Sequence, residues 1–234
     1  MPTNPPRIRP RSAHGPSGED YGRAVASEGW KRQEVMPGRD AILDAAFGLF
    51  ASDGIRQTSL DHVARRAEVP EDELRAQFDD VDTLLLAVLE RVDASFLDTE
   101  NYISSGAPFS IVETLRRQPA AAHVLAGRPE LARLRVVVSF EAIVRDGAAR
   151  LYTQRRTEAI RWWFAQLLTE GVRNGELTPD VDADARAAEW VAFMEGIQIQ
   201  WLLHPERIDL VRAYESYIDD LIDEIAAPDE DDGT

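Results

Sequence analysis

No cysteine occurs among the 234 residues, which removes disulfide frameworks, thiolate catalysis and Cys-ligated zinc, and fits a reducing cytosol. Nowhere do apolar residues run uninterrupted for the eighteen or so that a membrane span requires (~18 residues). The Pro- and Arg-bearing start also lacks the apolar core of a signal peptide, so a soluble, cytoplasmic chain without a membrane partner is expected. The four histidines, His14, His62, His123 and His204, are scattered and form neither a His-x3-His pair nor a Glu-x-x-His motif. A phosphate loop and a Gly-x-Ser-x-Gly elbow are missing too. Carboxylate pairs such as Asp79-Asp80 and Asp219-Asp220 fall where solvated charge is the ordinary role. No catalytic residue, metal ligand or cofactor is therefore expected. Basic charge is scarce: 26 Lys and Arg stand against 42 Asp and Glu, for a net of -16. That balance argues against broad electrostatic affinity for nucleic acid or anionic membranes and leaves room only for a local basic patch.

What the chain does have is helix. Its 44% hydrophobic content suffices for a sizeable core, and neither alternating strand patterns nor an internal repeat is evident. From Asp40 to Phe50, Ile42, Ala45, Ala46, Leu49 and Phe50 share one stripe at helical spacing, and Gly54 stops the run. Thr58 or Ser59 then offers an N-cap oxygen; Leu60, Val63, Ala64 and Ala67 form the next buried stripe; Val69-Pro70 breaks it before Leu74 and Phe78. Two short helices joined by a tight turn, with small Ala64 and Ala67 at the crossing, make a helix-turn-helix. Leu84, Leu85, Val88, Val92 and Phe96 carry a longer helix from Val81 to about Tyr102, ended by Ser105-Gly106-Ala107-Pro108. Thereafter helices are expected over 110–117, 120–126, 129–145, 148–174, 183–204 and 208–225.

Residues 1–37 hold six prolines with scattered Gly and Ser and read as a disordered arm. Arg7-Ile8-Arg9-Pro10-Arg11 is either part of a solvated tail or a flexible basic segment of the kind that enters a minor groove beside a helix-turn-helix. Over 38–104, six Arg face fifteen Asp and Glu, a net of -9. Glu71, Asp72 and Glu73 open the second short helix, where they suit the helix dipole but repel phosphate. Arg75 and Gln77 are the base-edge or phosphate donors left on that helix, and Arg65 and Arg66 are phosphate donors on the one before it. Thr58, Ser59 and Arg39 complete the candidate DNA surface.

These residues resemble the tetracycline-repressor (TetR) family of bacterial transcription regulators. The matching text is Ile42 to Gly54, Thr58 to Ala67, then Leu74, Phe78 and Leu84. The sequence departs from the family where Glu68 stands in place of the usual turn Gly. It departs again at Asp72 and Glu73, usually small or polar, at Arg75 for Tyr, at Gln77 for His or Tyr, and at Val81 for Lys. A second match runs from Gly171 to Leu177 through Val181-Asp182 and Ala187-Ala188 to Glu195-Gly196 and Trp201-Leu202-Leu203. The resemblance thus spans roughly 38–225.

It implies an all-α fold divided into a disordered arm (1–37), a three-helix helix-turn-helix domain (38–84), a helical ligand-binding and dimerisation domain (85–226) and an acidic tail (227–234). In that family the last two long helices pair with their symmetry mates as a four-helix bundle. Independently, Ala185, Ala188, Ala192, Gly196 and Ile199 give the penultimate helix a small-residue face on which another helix can pack, within the chain or across a twofold axis. Phe140, Tyr152, Trp162, Trp163, Phe193 and Trp201 are either core or the walls of an effector cavity of the kind the family uses. Arg135, Glu141, Arg145 and Gln198 are its candidate polar anchors.

Two functions fit. One is a ligand-responsive, DNA-binding regulator, a repressor, acting as a homodimer on a palindromic operator. The other is a helical dimer of the same build that has lost operator binding and acts through a small molecule or a protein partner.

Overall fold

The computed structural model describes residues 38–104 and 110–228, with the side chains of 95–104 left aside. The arm, the Ser105–Pro108 break, Phe96 and all but the first two residues of the acidic tail lie outside the described residues. What is described is helical apart from one isolated β-bridge, and the all-α expectation holds.

Helix α1, Arg39–Ser52, buries the stripe read from the sequence: Ile42, Ala46 and Phe50 are sealed from solvent, with Leu43, Ala45 and Leu49 beside them. Gly54 takes φ 84°, a conformation that only glycine adopts without strain, and a 3-10 turn follows at Ile55–Gln57. Helix α2, Leu60–Ala67, ends on Glu68 at φ 57°. Its N–H there returns to the carbonyls of Ala64 and Arg65, so the left-handed cap forms without the glycine it favours. Pro70 then seeds α3, Glu71–Gln77, from the extended conformation. Leu74 and Phe78 anchor α3 inward, and burial of each is worth about 1.5–3 kcal/mol.

Helix α4, Val81–Ser104, starts on an Asp80 cap that accepts both the Thr83 N–H (2.7 Å) and its hydroxyl (2.8 Å). α1 packs against α2, α3 and α4. After the break come α5 (Ile111–Arg116), α6 (Ala120–Gly127), α7 (Pro129–Val144), α8 (Ala148–Asn174), α9 (Ala183–Leu203) and α10 (Leu210–Ile225). Ser110, Asp182 and Asp209 accept the backbone N–H of Glu113, Ala185 and Arg212, capping α5, α9 and α10. α7 begins with proline at its first position, and α8 ends on Gly175 at φ 77°.

α8 is the spine of this half: it packs on α4, α5, α7 and α9, while α7 also meets α1. α10 lies against α5, α6 and α9. Its end is tied back into the α8–α9 connection, where Leu177 bridges Ala226 and Thr178 donates to the Ile225 carbonyl at 2.9 Å. Leu177 fills the space a side chain on Gly171 would occupy, its Cδ1 lying 2.6 Å from where a Cβ would stand.

Candidate functional sites: a reading face, a bare helix face and a polar hub

The burial of α3 settles which of its residues face out. With Leu74 and Phe78 inward, Glu71, Asp72, Arg75 and Ala76 form its exposed side. Arg75 does not stand alone there. Its Nε donates to Glu71 Oε1 at 2.7 Å, and its Nη2 stands 2.6 Å from the same oxygen. Arg65, also exposed, pairs with Asp61 at 3.3 Å, and the Ser59 hydroxyl donates to Asp61 at 2.5 Å. That hydroxyl bond, with Arg65 next among the favourable contributions, holds the Asp61 carboxyl below its ordinary range. Arg66 is exposed in the last turn of α2, and its guanidinium reaches back toward Gly48 of α1.

The other expected DNA residues face elsewhere. Thr58 is buried, its hydroxyl donated to the Gly54 carbonyl at 2.9 Å, where it fixes the turn. Gln77 is half-buried, with its Oε1 enclosed and without a hydrogen-bond partner among the described residues. Arg39 lies over the Phe78 ring, 4.8 Å from the centroid, tying α1 to the end of α3. Of the three acids that open α3, Glu73 is turned away from the exposed side and abuts Gly38, ahead of α1.

On α9, Trp190 and Val191 are buried with Ala187 and Gln198. Ala185, Ala188 and Ala192 are exposed, Gly196 and Ile199 half-exposed, and Leu203 continues the same stripe at 67% exposure. The small-residue face is thus left bare by the other described residues. A recess of about 250 Å³ opens at its start, lined by Ala185, Arg186, Glu189 and Glu224 among others.

The aromatic residues expected to wall an effector cavity do not enclose one space. Phe140 and Trp162 are among the exposed large apolar residues, at 54% and 45%. Phe193 belongs to a filled stack: its ring lies 4.1 Å from Tyr217 and 5.9 Å from Trp190, which in turn lies 5.3 Å from Phe164. Trp163 stands 6.3 Å from Phe164 at the edge of this stack, and Trp201 is half-buried. Among the expected anchors, Glu141 and Arg145 pair with each other at 3.4 Å.

The polar interior lies around Tyr152 instead. Its hydroxyl donates to both oxygens of Asp93 on α4 at 2.8 Å, and the guanidinium groups of Arg135 on α7 and Arg156 on α8 stand 3.9 Å from the same carboxylate. A cleft of about 20 Å³ opens here, lined by Arg135, Tyr152, Thr153, Arg156 and Glu195 among others. Burial, then the like charge of Arg156, pulls the Arg135 guanidinium down to about 10, while Asp93 opposes the shift. Burial first and Asp93 second hold the Tyr152 phenol protonated above its ordinary range. Next to this hub Gln198 donates to the Tyr214 hydroxyl at 3.2 Å; burial pushes that phenol up to about 12, and the donated amide pulls the other way.

Sequence reasoning found Arg135, Tyr152 and Gln198 but missed Asp93, Thr153, Arg156 and Glu195. Two spacings hinted at the hub: Asp93 stands four residues after buried Leu89 on a buried stripe, and Arg156 one turn after Tyr152.

Comparison with known proteins covers both halves. The family described as bacterial regulatory proteins, tetR family, matches residues 42–88, and that described as BetI-type transcriptional repressor, C-terminal, matches residues 119–227. Together they cover about two thirds of the chain. The HTH-type transcriptional regulator TtgR of Pseudomonas putida is 23% identical over 201 residues, covering 82% of this chain and 93% of that one. Among solved structures, a SmeT–triclosan complex superposes with a TM-score of 0.69 at 19% identity, over 82% of this chain and 93% of the other. FadR of Bacillus subtilis in complex with stearoyl-CoA does so at 0.66 and 21%, over 78% and 97%. No helix among the described residues is long and apolar enough to cross a membrane.

Proposed function

The chain belongs to the tetR family of bacterial regulatory proteins, and from that premise we propose that it is a cytoplasmic repressor that binds a palindromic operator as a homodimer and releases it when a small molecule binds. The observation that carries this reading is the exposed side of α3, presented by a helix whose Leu74 and Phe78 are fully packed. A short helix held that rigidly can enter a major groove with its outward residues at base edges. Arg65 and Arg66 flank it as phosphate donors. The family match over 42–88 favours this regulator over a dimer that has lost its operator.

In this reading 38–84 is the reading unit and 85–226 the sensing and dimerising one, and the bare face of α9 from Ala185 to Ile199 lies at the twofold axis. The ligand class favoured for this chain is a small effector, SmeT having been seen with triclosan. The site favoured for it is the Arg135–Tyr152–Arg156 hub, where charged and hydroxyl groups converge on Asp93; its cleft of about 20 Å³ admits about one water, so an effector has to widen it on binding. Asp93 lies on α4, whose first turn follows the reading helix directly, so contacts made at the hub bear on the position of α3.

The test is enrichment of random-sequence DNA duplexes by the full chain at low and physiological salt. An inverted repeat with half-sites about one helical turn apart is expected. Absence of any sequence-dependent binding at either salt would overturn the reading.

A further inference from the structure

The reading face is short of positive charge. Glu71, Asp72, Arg75 and Ala76 together carry a net negative charge, and the one cation is already bound to a carboxylate. We propose that Glu71 and Arg75 act as a single reading unit for one C·G base pair in each half-site, Arg75 donating to guanine O6 and N7 and Glu71 accepting from the cytosine amino group. This rests on the operator-binding reading above and names what the operator must contain.

The geometry of the pair supplies the argument. Arg75 spends its Nε–H on Glu71 Oε1, with Nη2 2.6 Å from the same oxygen. The guanidinium keeps its end-on edge, formed by one Nη2–H and one Nη1–H, and that fork matches two acceptors side by side. Glu71 keeps Oε2 as an acceptor. The unit therefore presents two donors beside one acceptor, and in the major groove a C·G pair presents two acceptors, guanine O6 and N7, beside one donor, cytosine N4. An adenine in place of the guanine turns a donor, N6, toward the fork and is rejected.

The carboxylate also decides against the simpler use of Arg75, since a phosphate approaching this guanidinium meets Glu71 at its side and Asp72 one residue away. A base edge carries no net charge and is not repelled. Ala76, the fourth exposed residue of the face, is small enough to let the helix sit deep in the groove. An ordinary surface ion pair is worth too little for this length of helix to depend on it, so replacing it leaves the fold intact.

The experiment uses the full-length protein and the site it enriches from the random pool, with binding read by fluorescence anisotropy. Wild type, Arg75→Ala and Glu71→Ala are each titrated against three duplexes: the enriched site, the same site with its C·G pair changed to T·A, and the same site with 7-deazaguanine, which lacks the N7 acceptor. Wild type is expected to lose roughly tenfold in affinity on either change. Arg75→Ala is expected to bind the enriched site and its 7-deazaguanine form alike, and to keep only the part of the preference for C·G over T·A that Glu71 supplies. Glu71→Ala is expected to discriminate less and to show a steeper salt dependence, by about one phosphate contact, because the freed guanidinium turns to the backbone; a merely structural ion pair leaves that slope unchanged. An enriched site without a C·G pair whose preference depends on Arg75 would overturn this inference alone. So would a Glu71→Ala variant with wild-type discrimination and salt slope. A wild type that enriches no site at all overturns the operator reading, and this inference with it.

Discussion

Replacing Asp93 by Asn tests whether charge, and not hydrogen bonding alone, holds α4 to α7 and α8. The amide keeps an oxygen for the Tyr152 hydroxyl, now at 2.8 Å, so the substitution removes the negative charge and little else. Arg135 and Arg156, both 3.9 Å from that carboxylate, then face each other without it, and Arg135 is only 14% exposed at its side chain. Breaking a fully buried pair costs about 3–5 kcal/mol. Asp93 is 42% exposed and both contacts are long, so solvent screening reduces the expected loss to about 1–2 kcal/mol. Asp93→Ala also orphans the Tyr152 hydroxyl and is expected to cost about 1 kcal/mol more. Urea denaturation followed by tryptophan fluorescence at one fixed protomer concentration measures both. In an Asp93→Asn background, Arg156→Gln is expected to cost about 1 kcal/mol less than in wild type. If Asp93→Asn leaves the midpoint unchanged, the ion network contributes nothing and the hub is held by the phenol alone; if it costs as much as Asp93→Ala, the phenol's hydrogen bond contributes nothing.

Ala192→Arg puts a charge on the bare face of α9, where it is harmless in a monomer and costs about 3–5 kcal/mol if buried in a twofold seam; sedimentation is expected to show monomer, and a wild type already monomeric at micromolar concentration sinks the seam. Tyr214 is held protonated in the fold, its phenol raised from 10.0 to about 12, so its contribution is fully present below pH 10 and lost as pH rises toward 12. That amounts to about 3 kcal/mol, and Tyr214→Phe is expected to flatten the alkaline fall in denaturation midpoint; an unchanged slope refutes the assignment. Glu68→Gly relieves a left-handed residue at φ 57° and is expected to stabilise by about 0.5 kcal/mol, the relief of about 1 kcal/mol being partly offset by a freer unfolded chain; a lower melting temperature for this variant counts against strain at the turn.

The helices were legible because their signals are local. The stripe from Ile42 to Phe50, the Pro70 and Pro129 starts and the Gly175 stop each act within a few residues, and helix ends fall within a residue or two of where they were expected. Glu68 stood out at a turn where the family has glycine, and its left-handed φ shows why glycine is favoured there. The face of α9 was legible as a pattern, but only packing showed that the other described residues leave it bare. The hub was hidden because Asp93 and Tyr152 are 59 residues apart, and no spacing along one helix announces a contact between two. The aromatics stayed open between core and cavity for a related reason: helical spacing puts Phe193 on an inner face but does not say that Tyr217 and Trp190 fill the space beside it. The pairing of Arg75 with Glu71, four residues apart, was within reach of the sequence, since acid before base at that spacing is the favourable order.

The tie at the end of α10 has a consequence for how this half comes apart. A terminal helix ordinarily frays from its free end, opening locally long before the body melts. Here Ala227 donates to the Glu176 carbonyl at 2.9 Å, Thr178 to Ile225 at 2.9 Å, and the Glu176 side chain accepts the Ile111 N–H at 2.6 Å. One short connection thus fastens the end of α10, the end of α8 and the start of α5 together, and none of the three can peel away without breaking the others' bonds. Helix α10 is thereby tied against a low-energy opening of its own, and the amides of Thr178 and Ala227 are expected to exchange with solvent only together with the bundle, which native-state hydrogen exchange checks.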